Sequence, residues 1–356
     1  MSMSDSELIR ALVIKPLELG RKVPACALQL RASPARLALA PNSNVNRILT
    51  DSIDMGIAMP GEKVTEVAES YHALYRRHEH ERSLRLGHMY AELGRPENVI
   101  TMLYCSRFFP LFENWLASCV AHGIDVKERL IVFTLDESAH RSTQALGVKS
   151  YCLDPAMYGE AGGSARFGDM KFSRTMFYKN ALIHDLLKLG CGVLFQDVDL
   201  IWLKDPMDYL VATGSQHDIH FMHDGPNRIH RPLYANTGFI YLRCTEASRA
   251  LMETALRNTA TIFGCGSHQL PLNRILAHFI LHNVLSVNVL PQALFLNGHL
   301  FNLRTGLADI ASEWRGEGYV VHYSWTADLL EKRGKIEAFG FNYLGDSRLL
   351  DALTPC

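Results

Sequence analysis

From about residue 98 onward, short apolar runs alternate with longer segments whose apolar residues recur at helical spacing. "VITMLYC" reads as a buried strand. "PLFENWLASCVAHG" reads as an amphipathic helix ending at Gly123. "RLIVFTLD" is a second strand, "SAHRSTQALG" a helix, and "VKSYCLD" a third strand. "FSRTMFYKNALIHDLLKLG" predicts a long helix closing on Gly190, and "GVLFQDVDLIWL" follows as the next strand. Strand and helix in strict alternation predict an α/β fold with a mostly parallel sheet covered on both faces. Before residue 98 the pattern differs. The stretch 32–63 is broken by Pro, Asn and Gly and reads as loop with short helices. "VTEVAESYHALYRRHEHERSLRLGHMYAELG" predicts one helix, with Val64, Val67, Tyr71, Leu74 and Tyr75 on its apolar face and Gly94 and Pro96 as stop signals. Its "RRHEHER" segment reads as a solvated face, or as a partner-binding one. The expected organisation is a mainly helical N-terminal extension over 1–95, a main domain over 96–345 and a tail over 346–356.

One strand carries an anomaly. In "GVLFQDVDLIWLKDP", Asp197 and Asp199 interrupt an apolar run. Alternate side chains of an extended segment point the same way, so both carboxylates can converge while Val198 faces the core. Ligands in open α/β sheets bind beyond the carboxyl ends of strands, where this pair falls. Two carboxylates in apolar surroundings repel unless a cation neutralises them, and oxygen ligands suit Mn²⁺ or Mg²⁺. Taken alone, an Asp-x-Asp is equally a chance pair in a loop.

Composition narrows the field. Lys+Arg is 36 against 37 Asp+Glu, so bulk charge indicates neither nucleic acid nor an anionic membrane as partner. The eight cysteines form no C-x-x-C pair and read as buried thiols rather than zinc ligands. No run approaches the ~20 apolar residues of a membrane helix. The N-terminus lacks the apolar core of a signal peptide. The chain is therefore expected to be soluble and cytoplasmic, or Golgi-luminal if an anchor has been removed.

The segment "LLKLGCGVLFQDVDLIWLKDPMDYL" resembles the core of nucleotide-diphospho-sugar transferases, including the plant cell-wall arabinosyl- and xylosyltransferases of glycosyltransferase family 77. "PLFENWLASCVAHGI", "YANTGFIYLRCT", "HQLPLNRIL" and "GYVVHYSW" followed by Lys332 and Lys335 are similar to further family segments, in the same order. The resemblance covers about residues 98–340. It implies a GT-A type, Rossmann-like sheet and a metal-dependent retaining transferase. Such an enzyme moves a sugar from a nucleotide diphosphate, with UDP the one expected for this chain, to a hydroxyl of a glycan, protein or small-molecule acceptor.

The same resemblance implies roles. Asp197, Asp199 and His322 would hold the metal, and Lys335, or else Lys332, would neutralise the leaving diphosphate. Asn236, Gly238 and Asp224 would meet the donor sugar. Gln269 would lie under the anomeric carbon, with His268 standing where the family has an acid. Arg174, Lys179, Tyr104, Cys105 and Ser106 would line the nucleotide site. Each has a plainer reading as a strand-end histidine, turn residue, helix cap or surface charge. A nucleotidyltransferase is disfavoured because "YCSRFFPLFENW" lacks a Gly-rich loop. A catalytically silent or merely hydrolytic nucleotide-sugar-binding protein of the same fold is the alternative.

Overall fold

The computed structural model describes residues 61–159, 170–214, 216–225, 234–299, 317–326 and 328–353, together with the short strand 29–30. The strands are β1 (Gln29–Leu30), β2 (Asn98–Tyr104), β3 (Leu130–Thr134), β4 (Lys149–Cys152), β5 (Gly192–Gln196), β6 (Leu200–Trp202), β7 (Ile219–His223), β8 (Ala235–Leu242), β9 (Val287–Val289), β10 (Phe295–Asn297) and β11 (Val320–His322). The helices are α1 (Glu62–Arg77), α2 (Glu79–Glu92), α3 (Phe109–Ala121), α4 (Glu137–Ala145), α5 (Pro155–Tyr158), α6 (Met170–Lys188), α7 (Pro206–Gly214), α8 (Glu246–Arg257), α9 (Thr259–Cys265), α10 (Gln269–Leu281), α11 (Leu329–Ala338) and α12 (Ser347–Leu353).

The main sheet has the order β1-β9-β7-β8-β5-β2-β3-β4. Strands β4, β3, β2, β5, β7 and β9 run one way, and β8 and β1 run against them. This is the mixed, mostly parallel sheet that the alternating pattern predicts. Its strands are apolar on both faces because both faces are covered. Val99 and Leu103 of β2 pack with α6, whereas Ile100, Met102 and Tyr104 pack with α3 on the other side. A second, smaller sheet, β10-β11-β6, lies beside it.

"GVLFQDVDLIWL" is not one strand. It breaks after Gln196, and β6 continues in the second sheet. The bend is tied down by Trp202, whose Nε1 donates to Gln196 Oε1 at 2.9 Å and whose ring meets Trp115 edge-on.

The N-terminal helical segment is two helices, with the break at His78. Ala68, Tyr71, Tyr75, Leu86 and Tyr90 share one apolar core with Phe177, Tyr178 and Leu182 of α6. Arg82, read from sequence as part of a solvated face, is fully buried and pairs with Asp185 of α6 at 2.9 Å. Farther along the chain, α12 buries Leu353, and Lys127 Nζ donates to the Leu353 carbonyl at 3.0 Å. The loop-rich reading of 32–60 falls outside the described residues. Six cysteines among the described residues are free thiols. No described helix is long and apolar enough to cross a membrane.

Candidate active site

Asp197 and Asp199 occupy the link between the two sheets. The Asp197 amide donates to the Gly238 carbonyl of β8 at 2.8 Å, and the Asp199 carbonyl accepts from the Tyr323 amide just after β11 at 2.9 Å. The two aspartates are thus held by different sheets. Val198 between them is buried in the core.

In the register of β11 against β6, His322 lies opposite Leu200 and so beside Asp199. One ligand atom from each of Asp197, Asp199 and His322 lies within 4.8 Å of the others. His322 Nε2 is 3.4 Å from Asp199 Oδ1, and its Nδ1 is a buried nitrogen with no partner among the described residues. Gly238 makes the convergence possible. A Cβ there would stand 2.5 Å from both Asp197 Oδ2 and His322 Cε1. Two carboxylates and one imidazole are a donor set that fits Mn²⁺ or Mg²⁺.

Two lysines address the same carboxylates. Lys179, on α6, pairs with Asp197, and Lys332, in the first turn of α11, pairs with Asp199. Asp328 caps α11 by accepting from the Glu331 amide, which sets the direction of that turn. Burial would raise the Asp199 carboxyl, but the Lys332 ammonium and the His322 imidazole outweigh it and hold the group well below the usual carboxylate range.

The cleft has two compartments that share Phe172, Met176, Lys179, Asp197, Asp199 and Lys332 as a common wall. One is a cavity of about 230 Å³ lined by Leu103, Tyr104, Cys105, Phe108, Leu111 and Leu135, a mainly apolar slot. Burial pushes both the Tyr104 phenol and the Cys105 thiol up, so each stays protonated at neutral pH. The other is a cavity of about 600 Å³ with a polar wall that includes Asp224, Asn236, Thr237, His268 and Gln269.

The polar wall is one hydrogen-bond network. Gln269 Oε1 accepts from the Thr237 hydroxyl at 2.9 Å and the Thr237 amide at 3.2 Å. Its Nε2 donates to Asp224 Oδ2 at 2.8 Å. Asp224 Oδ1 accepts from Asn236 Nδ2 at 2.5 Å, and Asn236 Oδ1 accepts from the Gly238 amide at 2.8 Å. Asn273, one turn into α10, braces the arrangement by exchanging hydrogen bonds with both backbone groups of Ala235 at the start of β8. His268 is buried, and desolvation reinforced by Lys179 lowers its pKa well below the ordinary value, so its imidazole is neutral at neutral pH.

Lys335, Arg174 and Ser106 do not line either compartment. Lys335 pairs with Glu331 on its own helix at 2.7 Å. Arg174 lies over the Tyr71 ring, at 5.5 Å. Ser106 is exposed, and its amide donates to Asp136. Conversely, Phe172, Met176, Thr237, Ser324 and Trp325 line the cleft although the sequence did not single them out. Met176 precedes Lys179 by one helical turn, and Trp325 follows His322 by three residues, which is the signal that could have found them.

A sequence profile of the nucleotide-diphospho-sugar transferases matches residues 125–339. The chain is similar to UDP-D-xylose:L-fucose alpha-1,3-D-xylosyltransferase 3 of Arabidopsis thaliana, with 25% identity over 72% of this chain and 69% of that one. It is also similar to arabinosyltransferase RRA2 of the same plant, with 27% identity over 48% of this chain and 42% of that one. Among solved structures, galactosyltransferase LgtC in complex with donor and acceptor sugar analogues aligns with 68% of this chain and 95% of that one, at 13% identity and a TM-score of 0.40.

Proposed function

The chain belongs to the nucleotide-diphospho-sugar transferase family, and from that premise we propose that it is a metal-dependent, retaining glycosyltransferase using a UDP-sugar. The observation that carries this reading is the Asp197, Asp199 and His322 group, set where an apolar slot meets a polar cavity. A nucleotide sugar has the same order of parts: a flat base, a diphosphate and a polyol. The slot beside Tyr104 and Phe108 takes the base. The polar wall of Asn236, Asp224 and Gln269 takes the sugar. Lys179 and Lys332 reach the diphosphate between them. The relative from Arabidopsis is named for a UDP-pentose donor, which supports UDP here.

Asp197, Asp199 and His322 would hold a divalent cation, which would supply positive charge for the departing diphosphate. Lys332 adds a second, movable charge at the same place. In the transfer, the bond from the anomeric carbon to the phosphate oxygen breaks and a bond to the acceptor oxygen forms on the same face. The acceptor proton passes to the leaving diphosphate. No base is assigned among the described residues. Asp224 already accepts from Asn236, Gln269 and Trp325, and it is spent on orientation. Gln269, whose amide oxygen accepts twice from Thr237 and whose amide nitrogen donates to Asp224, stiffens the wall against which the sugar lies and does not become a nucleophile.

The test is a panel of nucleotide sugars with Mn²⁺, with Mg²⁺ and after exhaustive chelation. It is scored by release of nucleoside diphosphate, by mass shift of acceptors and by NMR of the product linkage. The expected result is metal-dependent release with retention of the donor's anomeric configuration. Full turnover after chelation would remove the metal from the reading, and a product of inverted configuration would remove the retaining mechanism.

A further inference from the structure

Trp325 lies three residues beyond His322 and lines the polar cavity. The residue is 48% exposed, while Trp115 and Trp202 are fully buried. Single exposed apolar side chains are ordinary on a protein surface, so exposure alone argues nothing. Three further features set this one apart.

First, its backbone is left-handed, with φ of 59°, a region that a bulky side chain rarely occupies unless its surroundings impose it. Second, the surroundings do impose it. Indole Nε1 donates to the Asp224 carbonyl at 3.1 Å and to Asp224 Oδ1 at 3.2 Å. The His299 ring lies 5.1 Å from the indole. Gly298 lets the turn close, since a Cβ there would stand 1.6 Å from the Ser324 carbonyl oxygen. Third, Asp224 is the residue that also holds Gln269 and Asn236. The ring is therefore fixed relative to the group that orients the donor sugar, and through His322 relative to the metal ligands.

A rigid aromatic ring that keeps its polar edge bonded inward and leaves apolar surface at the mouth of a polar cavity fits one kind of ligand well. A pyranose presents hydroxyls around its rim and a patch of C–H groups on its face, and that patch packs on an indole. We propose that Trp325 is the acceptor platform, and that the acceptor is a carbohydrate whose pyranose ring stacks on it with a hydroxyl directed toward Gln269. This deepens the transferase reading and rests on it for the word acceptor, but the binding itself does not depend on turnover.

The experiment titrates methyl α- and β-pyranosides of common hexoses, 6-deoxyhexoses and pentoses into the full chain. Binding is read by saturation-transfer NMR and by quenching of tryptophan emission. Trp325→Leu removes the ring, and Trp325→Phe keeps an aromatic face. At least one pyranoside is expected to bind, with affinity falling on the order of 10- to 100-fold in Trp325→Leu and largely recovering in Trp325→Phe. In turnover with a UDP-sugar, the acceptor KM should rise by a similar factor in Trp325→Leu while the donor KM moves less than about 3-fold. Failure of every pyranoside to bind, or unchanged binding in Trp325→Leu, overturns the platform. Trp325-dependent binding without turnover of any nucleotide sugar keeps the platform and overturns the transferase reading. Transfer to a non-carbohydrate hydroxyl with unchanged acceptor KM in Trp325→Leu does the reverse.

Discussion

At the scale of single residues, the site depends on what is absent as much as on what is present. Gly238 has no side chain, and two of the three candidate ligands, Asp197 and His322, close over that gap. Gly238→Ala would force a methyl group to within 2.5 Å of Asp197 Oδ2 and His322 Cε1, so the ligands must separate. The expected outcome is Mn²⁺ affinity lower by about 10- to 100-fold, the range for disturbing the shell around a metal ligand, read by calorimetry independently of turnover. Lys332 and Lys335 offer a second contrast. Sequence placed both in a charged stretch and favoured Lys335. The two are less than one helical turn apart, and spacing does not say which one faces the carboxylates. The register set by the Asp328 cap does, and it directs Lys332 to Asp199 and leaves Lys335 with Glu331. Lys332→Ala is expected to lower turnover by about 10²-fold, as removal of one charge-stabilising group does. Lys335→Ala should change it by less than about 3-fold, because surface ion pairs contribute little. Equal losses in steady-state assays of the two variants would overturn that assignment.

At the scale of elements, the alternation of strands and helices after residue 98 was legible because both faces of the sheet are covered and the strands are apolar throughout. The change of sheet after Gln196 was not legible. Both halves of "GVLFQDVDLIWL" satisfy the same strand pattern, and only the Gln196–Trp202 hydrogen bond and the two packed indoles show the bend. The role of α1 and α2 was hidden for another reason. Arginine is normally a surface residue, and its burial requires a partner that lies 103 positions away in sequence. In the fold, Arg82 pairs with Asp185, and Tyr75 donates to the same carboxylate at 2.6 Å. Arg82→Ala should therefore destabilise the protein by about 3–5 kcal/mol, since it leaves a buried carboxylate without its counter-charge. Urea denaturation would measure it. Deleting residues 1–95 should give an insoluble or molten chain, because Phe177, Tyr178 and Leu182 lose the helices that cover them. Deleting only 1–60 leaves that core contact in place. A truncation at residue 96 that folds cooperatively would show that α1 and α2 are dispensable after all.

At the scale of the whole molecule, the buried histidines make stability depend on pH in a window of its own. His220 is fully buried, and desolvation, with smaller contributions from His217 and Arg243, lowers its pKa to about 3. Its Nδ1 faces the Asn288 amide nitrogen at 3.0 Å, so the neutral ring accepts there and a second proton would set donor against donor. His268 is shifted in the same direction by burial and by Lys179. The sign follows from linkage. Below the ordinary histidine value of about 6.5, the unfolded chain takes up protons that the folded chain refuses, so stability falls as pH falls. Each such group contributes a slope of at most about 1.4 kcal/mol per pH unit once the pH is well below 6.5. Asp199 and Glu253 have depressed carboxyl values, and their stabilisation is also lost on acidification, but mainly below about pH 4.3, where unfolded carboxylates pass their midpoints. The two windows therefore separate. Metal-free protein melted in urea at steps between about pH 7.5 and about pH 4.5 should lose stability steadily below about pH 6.5. In His220→Gln the absolute stability changes through packing, so the informative quantity is the slope, which should fall by about 1.4 kcal/mol per pH unit in the same range. A slope identical to that of the unaltered protein would mean that His220 takes up its proton without unfolding.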